Sequence, residues 1–503
     1  MRTVVGFAVA HLLLAAPGLA LLWATGLARA RARDLLAALG PAYLCGVAMV
    51  AAVLQLLLVL GIAVALPATI VVTALLTAGA WAAGRRFGAA RAAGPPPPPL
   101  PWRTRAERAL AWLGGALLVA WFVLGARSFD QLPTQVDDAR IWSVRTLGIF
   151  FHDSLQTDVF TGERYVDSHL DYPLLTALLN STIFRFMGTA DLRLVHLELW
   201  ICMAAFAWTV AWALAPGRRV LSWLPVVVVL PILSPVPENI ALGNVDTLVA
   251  GFLAAGALFA ALWLEDGRGA HMLVGGVLLA GAASTKNEGF VGALLVLAVA
   301  LAVALARREP GPWRQRLGPW LAGAGVVLFA VLPWRVWLAA HDISNSDTPG
   351  LGESLDWGYL SDRWDRLDLA FQRMLTIFGN QGVYFWIPPC FLALVVALAV
   401  RPRLRLRSLA GFWLAAAVLY LAALLWVFWT SRLEIGFHLD TAANRTAVGV
   451  AMLAVVGLAH LVSSTLRARE AAATAGAGPD RPPPAAAAGD PAPTSSAPGP
   501  TAT

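Results

Sequence analysis

Two adjacent carboxylates, Asp137 and Asp138, follow an apolar run that ends near Ala126. A carboxylate placed at such a boundary can take the proton from an attacking hydroxyl, and a pair can hold a divalent cation such as Mg or Mn. Asp137 is also well placed to cap a helix beginning at Ala139-Arg-Ile-Trp-Ser-Val-Arg145. Lys286-Asn287-Glu288 forms a second polar knot, and Lys286 is the sole lysine among 37 basic residues. The rest are arginine, so a retained lysine points to a place that needs a compact ammonium rather than a planar fork. Holding a phosphate as a point charge is one such role; snorkelling of an interfacial lysine is the plainer one. His438 and Arg445 precede the last apolar run, and Asp246 reads as the N-cap of the helix over 246–264.

These groups must be positioned by membrane helices. Of 503 residues, 58% are hydrophobic and 13% charged, with mean hydropathy +0.68. An ordinary soluble domain is nearer a quarter charged. A span takes ~20 apolar residues. Stretches of that kind fall near 3–27, 35–60, 62–84, 109–126, 191–215, 220–236, 246–264, 271–284, 289–306, 318–338, 384–400, 411–431 and 446–466, about thirteen helices. The loops between them alternate in charge. Arg29–Arg33, Arg85–Arg108, Arg218–Arg219, Arg307–Arg316, Arg401–Arg407 and Arg467–Arg469 are basic; Asp130–Asp171, Asp342–Asp368 and Glu434–Asp440 are acidic. Basic loops stay cytoplasmic, so a multi-pass cell-membrane protein is expected, with its N-terminus and acidic loops outside and its C-terminus inside. Leu27-Ala28-Arg29-Ala30 loosely resembles a leader cleavage site. The preceding run is too long for one, and cleavage would leave arginines outside. The net charge of +7 is then topological, and nucleic acid is not an expected partner. The cysteines Cys45, Cys202 and Cys390 are scattered in apolar runs and show no metal or redox spacing.

Around the acidic pair, 139–151 has the pattern of an amphipathic helix lying at the interface, and Tyr172–Met187 that of a second. Residues 360–378 could form a third. The loop 339–383 mixes carboxylates with Trp357, Tyr359, Trp364 and Phe371, a sugar-facing surface or a solvated loop with interfacial tryptophans. Pro95–Pro99 forms a short polyproline rod, and 470–503 reads as a disordered tail.

Asp137-Asp138-Ala-Arg140-Ile-Trp142, His169-Leu-Asp171-Tyr172-Pro-Leu-Leu175 and Ser284-Thr-Lys286-Asn287-Glu288-Gly289 together resemble the pattern of polytopic GT-C glycosyltransferases. They are most similar to bacterial relatives of the dolichyl-phosphate-mannose–protein mannosyltransferases. The resemblance covers about 109–465. It leaves three extra N-terminal helices (1–84) and a basic, Pro-rich cytoplasmic loop (85–108) outside the transmembrane catalytic module (109–466). It implies an all-α, GT-C-like fold with outer-face juxtamembrane helices. It also implies inverting transfer of a sugar from a polyprenyl-phosphate donor to an acceptor hydroxyl on a glycan, lipid or protein. Asp137 would be the base beside Asp138. Arg140, Trp142, Arg145, His169, Asp171, Tyr172, Lys286, Asn287, Glu288, His438 and Arg445 would surround the substrate, with Lys286 and Arg445 near the leaving phosphate. Many relatives have Asp-Glu where this chain has Asp137-Asp138, and Lys or His where it has Asp171-Tyr172. Two other readings share the membrane architecture: a transporter or flippase, which would need charges deep in the spans or repeated halves, and a ligase of lipid-linked glycans.

Overall fold

The computed structural model describes residues 2–88, 105–127, 138–214, 235–307, 313–344, 347–379, 387–400 and 404–476. Among them there is no strand. Ten helices are long and apolar enough to cross a membrane: Thr3–Ala24, Leu39–Val59, Leu66–Arg86, Arg105–Ala126, Leu194–Leu214, Asp246–Asp266, Asn287–Ala306, Leu317–Ala340, Leu406–Thr430 and Ile435–Arg469. Gly269–Ala283 and Ile387–Val400 are shorter apolar helices. Each falls on a stretch read from the sequence. The remaining stretch, 220–236, lies almost wholly outside the described residues. The chain is an all-helical polytopic membrane protein.

The centre of the bundle is the helix Asp246–Asp266. It is apolar on every side, and every residue from Asp246 to Leu264 is buried, as a helix without a polar face must be. Helices Gly269–Ala283 and Asn444–Gly476 pack most closely on it, with Leu194–Leu214 and Asn287–Ala306 completing its surroundings. It stops at Gly267, whose φ of +75° a side chain would resist. The helix Arg105–Ala126 is the opposite case. It buries only Gly114 and Trp121, so its apolar surface faces lipid.

The first helices are built into this bundle. Thr3–Ala24 crosses Leu39–Val59 so tightly that a Cβ at Gly18 would lie 1.8 Å from the Ala42 carbonyl oxygen, and one at Gly46 1.7 Å from that of Leu14. Glycine permits such an approach between membrane helices. Gln55 Nε2 donates to the Ala330 carbonyl at 2.7 Å, and the Leu174 amide donates to Gln55 Oε1 at 3.3 Å. Between the same helices and Leu194–Leu214, His11 Nε2 sits 3.0 Å from Glu198 Oε1, and His11 Nδ1 3.1 Å from the Tyr43 hydroxyl.

Three expected elements differ in the structure. The segment expected as a surface helix over Tyr172–Met187 begins at Leu175 and is buried along almost its whole length, because it is wedged among the first helices and Val144–His152. Within Val144–His152 itself, Arg145, Thr146, Gly148 and Ile149 are buried, so it too is packed into the protein rather than lying with its polar side in water. The last helix continues to Gly476, past the point where the tail was expected to begin. The third expected helix is present as Trp364–Gly379, and its start is tied by arginines. Arg363 and Arg366 donate to the Ser431 carbonyl at 2.7 and 2.6 Å, satisfying a backbone acceptor just past the helix Leu404–Thr430.

The close crossing of the first two spans makes a simple expectation. Gly46→Val should lower the unfolding midpoint of the detergent-solubilised protein sharply. Gly79→Val, where a Cβ meets nothing within 4 Å, should leave it nearly unchanged. Equal midpoints for the two variants would show that the crossing does not hold the hairpin.

Candidate functional site

Asp246, Glu288 and Arg445, near the starts of the helices Asp246–Asp266, Asn287–Ala306 and Asn444–Gly476, come together in one place. Lys286 lies at this meeting point. Its Nζ is 2.8 Å from Asp246 Oδ1 and 3.2 Å from Glu288 Oε1. Arg445 donates to Asn244 Oδ1 at 2.7 Å and lies 3.9 Å from Asp246 Oδ2. Burial alone would pull the Lys286 ammonium down, but Asp246 and Glu288 more than offset it and hold it well above the ordinary lysine range.

Two sequence expectations give way here. Lys286 is 5% exposed, so it does not snorkel to an interface; the carboxylates draw it inward. Asp246 is the first helical residue, and Val245 occupies the capping position. The Asp246 carboxylate serves the ion pair rather than the helix end, because a buried lysine offers more than a lone backbone amide.

Beside this network opens a cavity of about 480 Å³. Its polar lining comes from Asp171, Tyr172, Asn287, Glu288, Arg335, Asp347 and His438. Its apolar lining includes Phe290, Val291, Leu338, Leu424 and Val427. Residues from four separated parts of the sequence therefore converge: Asp171 with Tyr172, Asn287 with Glu288, the acidic loop through Asp347, and His438. Glu288 Oε2 and His438 Nδ1 are buried atoms with no hydrogen-bond partner among the described residues.

Asn287 links two cavity groups. Its Nδ2 donates to Asp171 Oδ2, and its Oδ1 accepts from Arg335 Nη2 at 2.6 Å. Arg335 was not singled out in the sequence. The available signal was an arginine inside the apolar run 318–338, since an ionisable residue within a span marks a functional site by default.

Other residues stand behind the wall. Arg145 is fully buried and donates to the backbone carbonyls of His169 (3.3 Å) and Tyr172. Burial lowers its guanidinium to about 10, opposed by nearby Asp171, so it remains charged near neutrality. Its work is to fix the 169–172 turn. Trp142, Tyr172 and His169 stack in sequence, with ring centroids 5.6 and 4.6 Å apart. His169 Nδ1 in turn reaches Asp347 Oδ2 at 3.3 Å. Burial also pushes the Tyr172 phenol well above its usual range, so it stays a neutral hydroxyl in the wall. Arg140 is exposed and does not line the cavity. Asp138 opens the turn Asp138–Ser143 that leads into Val144–His152, and Asp137 lies outside the described residues.

Among the described residues no three His, Cys, Asp or Glu side chains are grouped to hold a metal ion. No family model matches the sequence, and neither a curated protein nor a solved structure matches it.

Removing one partner of a buried charge pair typically costs about 3–5 kcal/mol. Lys286→Met leaves Asp246 and Glu288 facing each other and should lower the unfolding midpoint strongly. Adding Asp246→Asn should recover part of the loss. Additive losses in the double variant would show that the three groups do not act as one network. Arg145→Lys, which cannot span two carbonyls with one ammonium, should weaken the fold by about 1–3 kcal/mol, read from the same midpoints.

Proposed function

We propose that the protein is an inverting glycosyltransferase that moves a sugar from a polyprenyl-phosphate-linked donor to an acceptor hydroxyl at the outer face of the cell membrane. The observation that carries this reading is the mixed lining of the cavity. Its carboxylates and amide suit the hydroxyls of a sugar, and its apolar side chains suit the first units of a lipid tail. The ligand it fits is amphipathic, and a lipid-linked sugar has that form. The resemblance of the 137–142, 169–175 and 284–289 stretches to GT-C enzymes supports the same reading.

In this reading Asp137 takes the proton of the acceptor hydroxyl as its oxygen attacks the anomeric carbon. The bond from that carbon to the phosphate oxygen breaks, and the phosphate leaves with the electron pair. A phosphate leaves readily, so no proton donor is required on that side, and a single displacement inverts the anomeric centre. Lys286 is engaged by Asp246 and Glu288. Its contribution is therefore to hold Glu288 in place and to keep the field at the cavity from becoming strongly negative. Glu288 Oε2, with no partner among the described residues, accepts from a sugar hydroxyl. The orientation that follows from the arginine loops puts the cavity outside, the N-terminus outside and the C-terminus in the cytoplasm. Transfer is favoured over transport because Asp246 and Glu288 stand in the first turns of their helices and Arg335 lies five residues from the end of its span, not near its middle.

Membranes supplied with radiolabelled decaprenyl- or undecaprenyl-phosphate sugars should transfer label to an endogenous acceptor. Asp137→Asn should reduce transfer by about 10²-fold or more, and Lys286→Arg should lose most of it while the protein still accumulates normally. Undiminished transfer by Asp137→Asn would remove Asp137 from the mechanism. Undiminished transfer by Lys286→Arg would reduce the lysine to an anchor that any cation can replace.

A further inference from the structure

A second opening lies among the N-terminal spans and shares no lining residue with the candidate cavity. It is a groove of about 490 Å³ between the helices Thr3–Ala24 and Leu66–Arg86. Leu13, Ala16 and Ala20 line one side of it, and Ile70, Ala74 and Trp81 the other. From Ile70 to Trp81 one face of the second helix extends roughly 16 Å at about 1.5 Å per residue. Two threonines fall on that face. Thr73 Oγ1 donates to the Thr69 carbonyl at 2.8 Å, and Thr77 Oγ1 to that of Thr73 at 2.7 Å. Both hydroxyl protons are thus used within the helix, and the surface left to an occupant is almost wholly apolar. Ala74, Ala78 and Trp81 are exposed, so the groove is reached from the lipid side.

The chemistry at one end sets this groove apart from plain lipid-facing surface. Trp81 stacks with Trp23, ring centroids 6.5 Å apart, and Arg85 Cζ lies 4.6 Å from the Trp81 ring centroid. The guanidinium therefore sits on the ring that ends the groove. Gly84 lets the chain close against the first span, since a Cβ there would lie 2.8 Å from Ala24 Cα. That approach sets Arg85 and Arg86 beside the turn that follows Ala24. Residues 25–38 and 84–88 together carry five arginines, Arg29, Arg31, Arg33, Arg85 and Arg86, and one carboxylate, Asp34. Tryptophans at a span end mark headgroup depth, so these cations stand at the level of lipid phosphates. Basic pockets between spans favour anionic headgroups. A zwitterionic lipid carries the same phosphate but adds a further cation to the cluster; an anionic one does not.

We propose that this groove binds one anionic phospholipid from the leaflet facing the basic loops, with a hydrocarbon chain between the first and third spans and its phosphate beside Arg85 and Arg86. The site is independent of the glycosyltransferase reading and of the cavity that carries it.

The test uses the purified full-length protein in detergent with dioleoyl phosphatidylglycerol, dioleoyl phosphatidylcholine and glycerol 3-phosphate. Affinities are read from ligand-dependent unfolding midpoints. Phosphatidylglycerol should bind at least about ten-fold more tightly than phosphatidylcholine, and glycerol 3-phosphate, which has no chain for the groove, should bind at least about ten-fold more weakly than phosphatidylglycerol. The double variant Arg85→Gln/Arg86→Gln should bring phosphatidylglycerol down to the level of phosphatidylcholine. Ala74→Phe, which fills the groove and keeps every arginine, should weaken phosphatidylglycerol by about ten-fold. Equal binding of the two phospholipids, or undiminished phosphatidylglycerol binding by either variant, would overturn the proposal. So would glycerol 3-phosphate binding as tightly as phosphatidylglycerol. If Ala74→Phe instead turns a dimer into a monomer and leaves lipid affinity unchanged, the groove belongs to a second copy of the chain and the lipid assignment falls. Should Ala74→Phe fail to fold, the arginine variant, at two exposed positions, still decides.

Discussion

A lysine can stay charged deep inside a helical bundle only if carboxylates come to it, and the geometry of this protein's site follows from that requirement. Lys286 brings together Asp246, the first residue of the most buried helix, and Glu288, near the first turn of the next span. Arg445, from the last span, approaches the same Asp246. Both carboxylates stand at helix N-termini, where the backbone dipole already favours negative charge. Desolvation of so many charges is expensive, and the geometry must be good to offset it. Such a network adds little stability over an apolar core of equal volume. Its effect is to fix the register of three spans against one another, and a cavity of defined shape follows from that register.

Around this network the buried groups are divided by task. Arg145 holds two carbonyls of the 169–172 turn, and Trp142 stacks on Tyr172, so the turn carries Asp171 and Tyr172 into the wall without either support reaching the cavity. Asn287 spends both ends of its amide on Asp171 and Arg335. The stretch 347–379 is fastened mainly to the end of the helix Leu404–Thr430, where Tyr359 donates to the Thr430 carbonyl at 2.8 Å and Trp429 to that of Leu360 at 3.1 Å. It presents Asp347 to His169 across the cavity. Two helices contribute both polar and apolar lining, Asn287–Ala306 through Glu288 and Phe290 and Leu317–Ala340 through Arg335 and Leu338.

The spans were legible in the sequence because hydrophobic runs are local signals that report directly on the solvent around each segment. The convergence of the 169–172, 286–288 and 438–445 stretches was legible as well, because polar residues at span ends on one side of a membrane have few places to go. Partners were not legible. Nothing local to Asp246 distinguishes a helix cap from half of an ion pair whose other half lies 40 residues away. Arg335 was hidden by its own surroundings, since one arginine barely lowers the hydropathy of the run around it. The burial of Arg145 and of the helix Leu175–Met187 was likewise invisible, because their polar residues face protein rather than water. The packing of the first two spans, through Gln55 and the glycine contacts of Gly18 and Gly46, also depends on neighbours distant in sequence.

The central claim is that a bond is broken and formed at this cavity. The direct measurement reconstitutes the purified protein in vesicles with an α- or β-linked polyprenyl-phosphate sugar and a hydroxyl acceptor on the cavity side, and determines the anomeric configuration of the product. The account predicts a new glycoside of inverted configuration. Movement of the lipid-linked sugar across the bilayer with its phosphate linkage intact, or a product of retained configuration, would contradict it.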